Sequence, residues 1–576
     1  SASCSSFLVL VLYALATSVP GCAMRVELKN AFCSPPRAPL PSQGLMRDSC
    51  RESLRHACTK KPVNHRRGAF LHWLSAGGGR HGADEDIRGK AFSKWWEESR
   101  EQTLVPKKLQ HKGVFPSFLN GLLLRNGPAI WSGKGRSYTH AFDGLAKLTK
   151  FEVKEGEVWY SSRFVRSQWY KRMVEEEEDA PKAISVGPTD PPLNQLDKLL
   201  ALFNSDSFDN APVNVHQLGG QLGPWVAVTD APLAMEFDRE TLETRGRLDK
   251  RYVNSVCQLG GLLLFSTAHP LPCPVTGQTI NYFLELNVLQ GNRALLVRTD
   301  DKLARQLVGS VRLAAGEIPY VHSFGLTRTG KAILMLCPLR MPPAALLNGS
   351  FMPSLEWCGE GEGDRTRIYV FDLKESKVEP SWTFEADPLF FYHCINAYEE
   401  EEEIVVELCG YNTPDIATSP HAFAYLPNMK DGQERKKQAR DGSLYRMKLP
   451  LKQQGHVTVK KLEAPCDGME MTFELPTINP QLVGKKHRHV YGYTGFGRGD
   501  ESDFTEWAVL KISTDDDGVT SVLKWEEEQT YPSEPTFVPR PDGKEEDDGV
   551  VLVQMFDGKR EESFLLCLDA KNMKEI

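Results

Sequence analysis

No two cysteines of this chain form a C-x-x-C pair. The total is 13, an odd number. Five precede residue 60 (Cys4, Cys22, Cys33, Cys50, Cys58) and eight are scattered through the remainder. That spacing excludes a disulfide framework and a zinc ribbon and reads as buried thiols in a reducing compartment. Excess positive charge is missing too. The formal net charge is −7; residues 1–80 carry 11 Lys/Arg against 3 Asp/Glu, so the remainder is the more acidic part. An acidic body lacks the basic face that nucleic acid requires. The sequence has no WD or kelch signature and no triad-like nucleophile motif.

The leader differs in kind from the rest. FLVLVLYALA (7–16) is a short apolar run followed by Gly21-Cys22-Ala23. It resembles a signal peptide and is too short for a spanning helix. Residues 24–90, down to about residue 80 above all, are rich in Arg, Ser and Pro and poor in acid, a transit-peptide composition. Together they resemble the two-part leader of algal plastids, and the expected destination is a plastid. The alternatives are a disordered tail and a cytoplasmic, membrane-associated protein. The expected folded unit is 91–576.

That unit reads as strands. AFSKWWEESREQ, from Ala91, suggests a short helix. LTKFEVKEGEVWYSSRF, WVAVTDAPLAMEFDRETLETRGRL, RIYVFDLKESKVEPSWTF, LYRMKLPLKQQGHVTVKKL and WAVLKISTDDDGVTSVLKW follow. Each pairs two apolar strands across a short polar link, the pattern of a β-hairpin. Their recurrence predicts a large all-β fold, propeller or sandwich. LNQLDKLLALF (193–203) breaks the pattern, with Leu196, Leu199, Leu200 and Phe203 on one helical stripe. It reads as a helix packed on a sheet or one lying on a membrane. The acidic runs Glu175–Glu178 and Glu399–Glu403 read as solvated loops.

Three of the 14 histidines share a setting. His269 ends an apolar strand in GLLLFSTAHPLP. His322 begins one in EIPYVHSFGLTRTGKAILML. His393 closes the aromatic run Phe390-Phe391-Tyr392. One such residue is ordinary core. Three on different hairpins can meet where propeller strands converge, and neutral imidazoles suit Fe, Cu, Zn and Ni. Glu474 in TFELPTINP and Glu534 in YPSEPTFVPRP sit where a lone carboxylate is costly, so each is expected to have a partner.

Several blocks, in order over about 105–576, resemble the carotenoid cleavage oxygenase family, in particular the branch with animal β-carotene oxygenases and the isomerohydrolase of the retinal pigment epithelium. They are FPSFLNGLLLRNGPAIW, HAFDG, SSRFVRSQWY, TAHP, VHSFGLT, FYHCINAYEE, FELPTIN and PSEPTFVPRPDGKEEDDGVVL. The resemblance implies a seven-bladed β-propeller with a helical and loop cap over an axial iron(II) held by four histidines. His269, His322 and His393 match three of them. Glu474 and Glu534 match carboxylates that hold ligand imidazoles from behind. Asp230, in AVTDAP, stands where the family has Glu, so that contact is expected to need a water or a shifted strand. The fourth histidine would follow FLLCLDAKNMKEI, so the native chain is expected to continue to a His-Gly pair. In the chain as given, Glu534 is expected to stand alone.

The implied reaction joins dioxygen to a polyene double bond of a carotenoid or apocarotenoid and yields two carbonyl products. Alternatives on the same fold are an isomerase or isomerohydrolase, a stilbene-type substrate, and a carotenoid-binding propeller without turnover. The resemblance also implies membrane contact through 193–203. A Pro-Asp-Pro-Cys motif of the animal branch is replaced here by TDPPLNQ, without cysteine. The phenyl rings beside His393 are expected either to line a substrate tunnel or to pack in the core.

Overall fold

The computed structural model describes residues 80–576 apart from 204–208, 249–250, 343–344, 346–347, 362–363, 440–441, 464–469 and 498–502. The expected signal-like segment and nearly all of the transit-like segment lie outside the described residues.

Local chemistry makes the hairpins. Ala146–Lys154 and Glu157–Phe164 pair in unbroken antiparallel register from Lys147↔Phe164 to Lys154↔Glu157. The link is Glu155-Gly156, at φ 53° and 79°. A two-residue turn with positive φ at both positions matches the right-handed twist of its strands, and glycine adopts it without strain.

Seven such sheets form a seven-bladed β-propeller. One strand of each lies toward the axis. These are β1 (Gly121–Pro128), β2 (Asn214–Gln217), β3 (Leu262–Ser266), β4 (Gly325–Leu326), β5 (Phe390–Glu400), β6 (Glu470–Thr477) and β7 (Thr536–Pro539). Adjacent blades are joined by apolar layers. Ile333, Met335, Ile368 and Val370 of the fourth blade meet Ile404, Val406, Leu408 and Met447 of the fifth. The ring closes where Phe151, Val153 and Val158 of the first blade pack on Val550, Leu552 and Cys567 of the last. The strand Thr103–Lys108 ends one sheet with an exposed edge carrying Pro106, Lys107 and Lys108, which discourage further pairing.

Three expectations need adjustment. In LYRMKLPLKQQGHVTVKKL, Ser443–Pro450 does pair with Val459–Leu462, but Gly455–Val457 leaves the hairpin and adds to Trp382–Ala386 of the preceding blade in parallel. Glu399 is not in a solvated loop. It lies in β5 and accepts from Thr327 Oγ1 (2.8 Å), Thr329 Oγ1 and Lys331 Nζ (3.1 Å). The first helix, α1 (Arg80–Trp95), starts well before Ala91, crosses the expected leader boundary and stops at Trp95.

Aromatic packing anchors α1. Phe92 is fully buried, 5.3 Å edge-to-face from Tyr531, and Trp95 stacks on the same ring. Phe92→Ala is expected to cost about 3–5 kcal/mol of stability, measured by denaturant unfolding. An unchanged midpoint would mean that α1 does not dock.

Candidate functional site: three imidazoles on the propeller axis

Three consecutive blades each bring one histidine to the axis, and each chain breaks regular structure to do so. His269 follows β3 in Thr267-Ala268-His269-Pro270, a turn held by Thr267 Oγ1 accepting the His269 N–H (3.2 Å). His322 lies just before β4, where Ser323 Oγ donates to the Tyr392 carbonyl (2.6 Å) and ties the segment to the next blade. His393 lies inside β5, between register shifts at Phe391/His393 and Cys394/Asn396. Bulges re-aim side chains without ending a strand.

The imidazoles converge. One ring nitrogen from each lies within 4.8 Å of the others. His269 Nε2 and His322 Nε2 are 3.0 Å apart, and ring centroids are separated by 4.7–5.1 Å. Behind them stand carboxylates. His322 Nδ1 donates to Asp230 Oδ2 (2.8 Å), which also accepts from the Tyr320 hydroxyl (3.0 Å). His393 Nδ1 donates to Glu474 Oε2 (2.6 Å). Tyr411 donates to the other Glu474 oxygen (2.8 Å), and the Leu475 N–H to Oε2 (2.9 Å). With Nδ1–H committed to a carboxylate, Nε2 is left with its lone pair directed inward.

Burial, then the neighbouring imidazoles His322, His393 and His216, hold His269 well below its ordinary pKa. Burial also pushes His393 down, but the charge of Glu474 and its hydrogen bond outweigh burial and raise it. At 3.0 Å His269 Nε2–H can donate to the bare Nε2 of His322; with both nitrogens unprotonated their lone pairs repel. A cation among them removes that repulsion, and Asp230 and Glu474 offset its charge. The residues present therefore fit a divalent metal of the kind imidazole prefers.

Two expectations about carboxylates are corrected. Asp230 needs no water, because it reaches His322 directly. Its place is fixed from the third blade: Ser266 N–H donates to the Asp230 carbonyl (2.7 Å) and Ala268 N–H to Asp230 Oδ1 (3.0 Å). Glu534 does not stand alone. It occupies the break between Thr530–Pro532 and β7, and its Oε2 accepts from Arg125 Nη1 of β1 (2.7 Å). It hydrogen-bonds to none of the three imidazoles, and its charge raises His393.

The aromatic run is divided in function. Phe390 and Phe391 are buried in two different core layers, whereas the Tyr392 ring lies 5.2 Å from His322. Phe351 packs on Phe265 (4.9 Å) and Tyr320 (5.6 Å), and the turn Met352–Ser354 and the helix Asp415–Thr418 contribute to the same apolar cluster. Helix α2 (Gln195–Phe203) exposes Leu196 (65%) and Leu200 (54%), while Leu199 and Ala201 turn inward. The expected single stripe is thus split between solvent and core. Sequence reasoning missed Arg125, His216, Tyr320 and Tyr411. The available signals were an arginine inside LLLRNG and a histidine inside VNVHQ, each a polar residue in an otherwise strand-like run.

The family model described as retinal pigment epithelial membrane protein matches residues 95–576. The chain belongs to that family, the carotenoid cleavage oxygenases, and is an oxygenase. A β,β-carotene 15,15′-dioxygenase of Rattus norvegicus is 27% identical over 522 residues, covering 83% of this chain and 87% of the relative. Carotenoid cleavage dioxygenase 8 homolog B, chloroplastic, of Oryza sativa subsp. japonica is 30% identical, covering 81% and 79%. Cobalt-substituted Synechocystis apocarotenoid oxygenase shares the fold at a TM-score of 0.65 and 21% identity, covering 84% of this chain and 94% of its own.

Glu474→Gln is expected to weaken cobalt(II) binding about 10–100-fold, read by titration of metal-free protein. Protons compete with metal for an imidazole. Because His393 is raised, binding in the wild type should begin to fail, as pH falls, above the ordinary imidazole range near about 6.5. Glu474→Gln removes the charge that raises it and should move that onset lower. Equal affinity and an unmoved onset would contradict the role of Glu474.

Proposed function

We propose that this oxygenase is a non-haem iron(II) dioxygenase that cleaves a carbon–carbon double bond of a carotenoid or apocarotenoid. The observation that carries the reading is the inward convergence of three imidazole nitrogens, two of them backed by Asp230 and Glu474. His269, His322 and His393 would hold the metal. Iron(II) bound there supplies the electrons that make dioxygen reactive toward an alkene.

The chain's own residues do the remainder. Asp230 and Glu474 hold the Nδ1 protons, which turns Nε2 of each ring inward as the atom that meets the metal. Tyr320 and Tyr411 satisfy the other carboxylate lone pairs, and burial pushes both phenols well above their ordinary pKa, so they stay protonated donors. Tyr392 and Tyr320 lie beside the His322 ring, and Phe351 and Phe265 continue from Tyr320 as an aromatic wall that suits an apolar polyene. No protein nucleophile takes part. One oxygen atom enters each carbonyl product, so the double bond and O₂ are both consumed in balance.

Such substrates dissolve in lipid. No helix among the described residues is long and apolar enough to cross a membrane, and the exposed Leu196 and Leu200 support peripheral contact through α2. Leu196→Ser with Leu200→Ser should abolish most co-sedimentation with phospholipid vesicles while leaving the melting temperature unchanged. Full retention on vesicles would remove α2 from the account. The transit-like leader, together with the chloroplastic relative, supports a plastid location.

Reaction under ¹⁸O₂, with rapid trapping of the aldehydes, tests the activity. Label in both carbonyl products is expected. Label in one product, or an unlabelled isomer as the product, would overturn the dioxygenase reading.

A further inference from the structure

We infer that His216 is a positioning residue that fixes the backbone from which His269 reaches the axis. This inference rests on the metal-centre reading above and deepens it.

His216 lies in β2, opposite Val226 of the adjoining strand, in the blade that contributes no imidazole to the cluster. Its Nε2 is 3.1 Å from the Ala268 carbonyl oxygen. A carbonyl only accepts, so Nε2 carries the proton and donates. That carbonyl belongs to the peptide unit whose nitrogen is His269 N. The other polar atom of Ala268 is also held. Its N–H donates to Asp230 Oδ1 (3.0 Å), while Asp230 Oδ2 receives the proton of His322 Nδ1 (2.8 Å). The second blade thus grips Ala268 on both sides, by His216 and by Asp230, and links that grip to the ring of His322.

The grip matters most for His269 because of what its ring lacks. His322 and His393 each have a carboxylate behind them. Among the described residues no carboxylate hydrogen-bonds to the His269 ring. Apart from the contact of its Nε2 with His322 (3.0 Å), its direction is set by its backbone: the Thr267 turn, Pro270, and the peptide plane that His216 pins. Ala268 is fully buried, so losing the His216 donor leaves a buried carbonyl without that partner. The peptide plane is then free to tilt, and tilt at the Cα of His269 displaces Nε2 relative to the other two nitrogens.

Cobalt(II) is the probe, because its visible absorption reports ligand geometry independently of turnover. The full chain is prepared metal-free and titrated as wild type, His216→Phe, His216→Ala and His216→Gln. Phenylalanine keeps a ring but has no donor, whereas glutamine restores an N–H donor. Expected are about tenfold weaker binding and a shifted visible band for Phe and Ala, with affinity and band close to wild type for Gln. A merely structural role would lower stability without moving the band of the saturated protein. Wild-type affinity and band in His216→Phe would overturn the inference while leaving the metal reading intact. Failure of the wild type itself to bind would overturn both. If the Phe and Ala variants do not fold, histidine-¹⁵N NMR of the wild type decides, with His216→Gln assigning the signal. An Nε2–H tautomer is the expected result, and an Nδ1–H tautomer refutes the inference.

Discussion

Lone pairs of neutral imidazoles repel when they face one another in a buried site, and the centre of this propeller is organised so that a proton or a cation must lie between them. His269 and His322 approach to 3.0 Å through their Nε2 atoms. Such closeness is stable when a proton or a metal cation lies between the nitrogens and when the rings are prevented from turning away. Asp230 and Glu474 meet the second requirement for two rings, and the backbone around Ala268 meets it for the third. The carboxylates answer the first as well, since their charge favours a cation nearby. Tyr320 and Tyr411 keep those carboxylates in place.

The fold makes this arrangement affordable. Seven blades closed into a ring bury most of their apolar surface between neighbouring sheets, so a local break in one inner strand does not open the structure. The breaks are where the chemistry sits. His393 occupies a bulged stretch of β5, and Glu534 the gap before β7. His269 and His322 lie beside β3 and β4 rather than within them. Regular strands send alternate side chains into the layers between blades. Only a departure from that alternation turns a side chain to the axis.

Much of this was legible in the sequence. Hairpins such as Ala146–Phe164 follow from apolar strands around Glu155-Gly156, and the three histidines stood out because each ends or begins such a strand. What stayed hidden depends on contacts between distant blades. The Arg125–Glu534 pair joins residues 409 positions apart, and no local pattern announces it. Asp230 looked too short because side-chain length was compared without the position of the backbone, which Ser266 holds through the Asp230 carbonyl while Ala268 holds Oδ1. Glu399 looked like part of a solvated acidic run because Thr327, Thr329 and Lys331 approach it from a neighbouring blade. The division of Phe390, Phe391 and Tyr392 between two core layers and the site follows from the bulge that begins there. A bulge is a property of the paired strands, not of one segment.

Crystals of the iron-loaded full chain, with anomalous diffraction recorded on both sides of the iron edge, test the central claim most directly. The account expects one anomalous peak enclosed by the Nε2 atoms of His269, His322 and His393, with Asp230 and Glu474 still behind their rings. Stoichiometric iron at any other position, or the three imidazoles turned away from a common point, would contradict it.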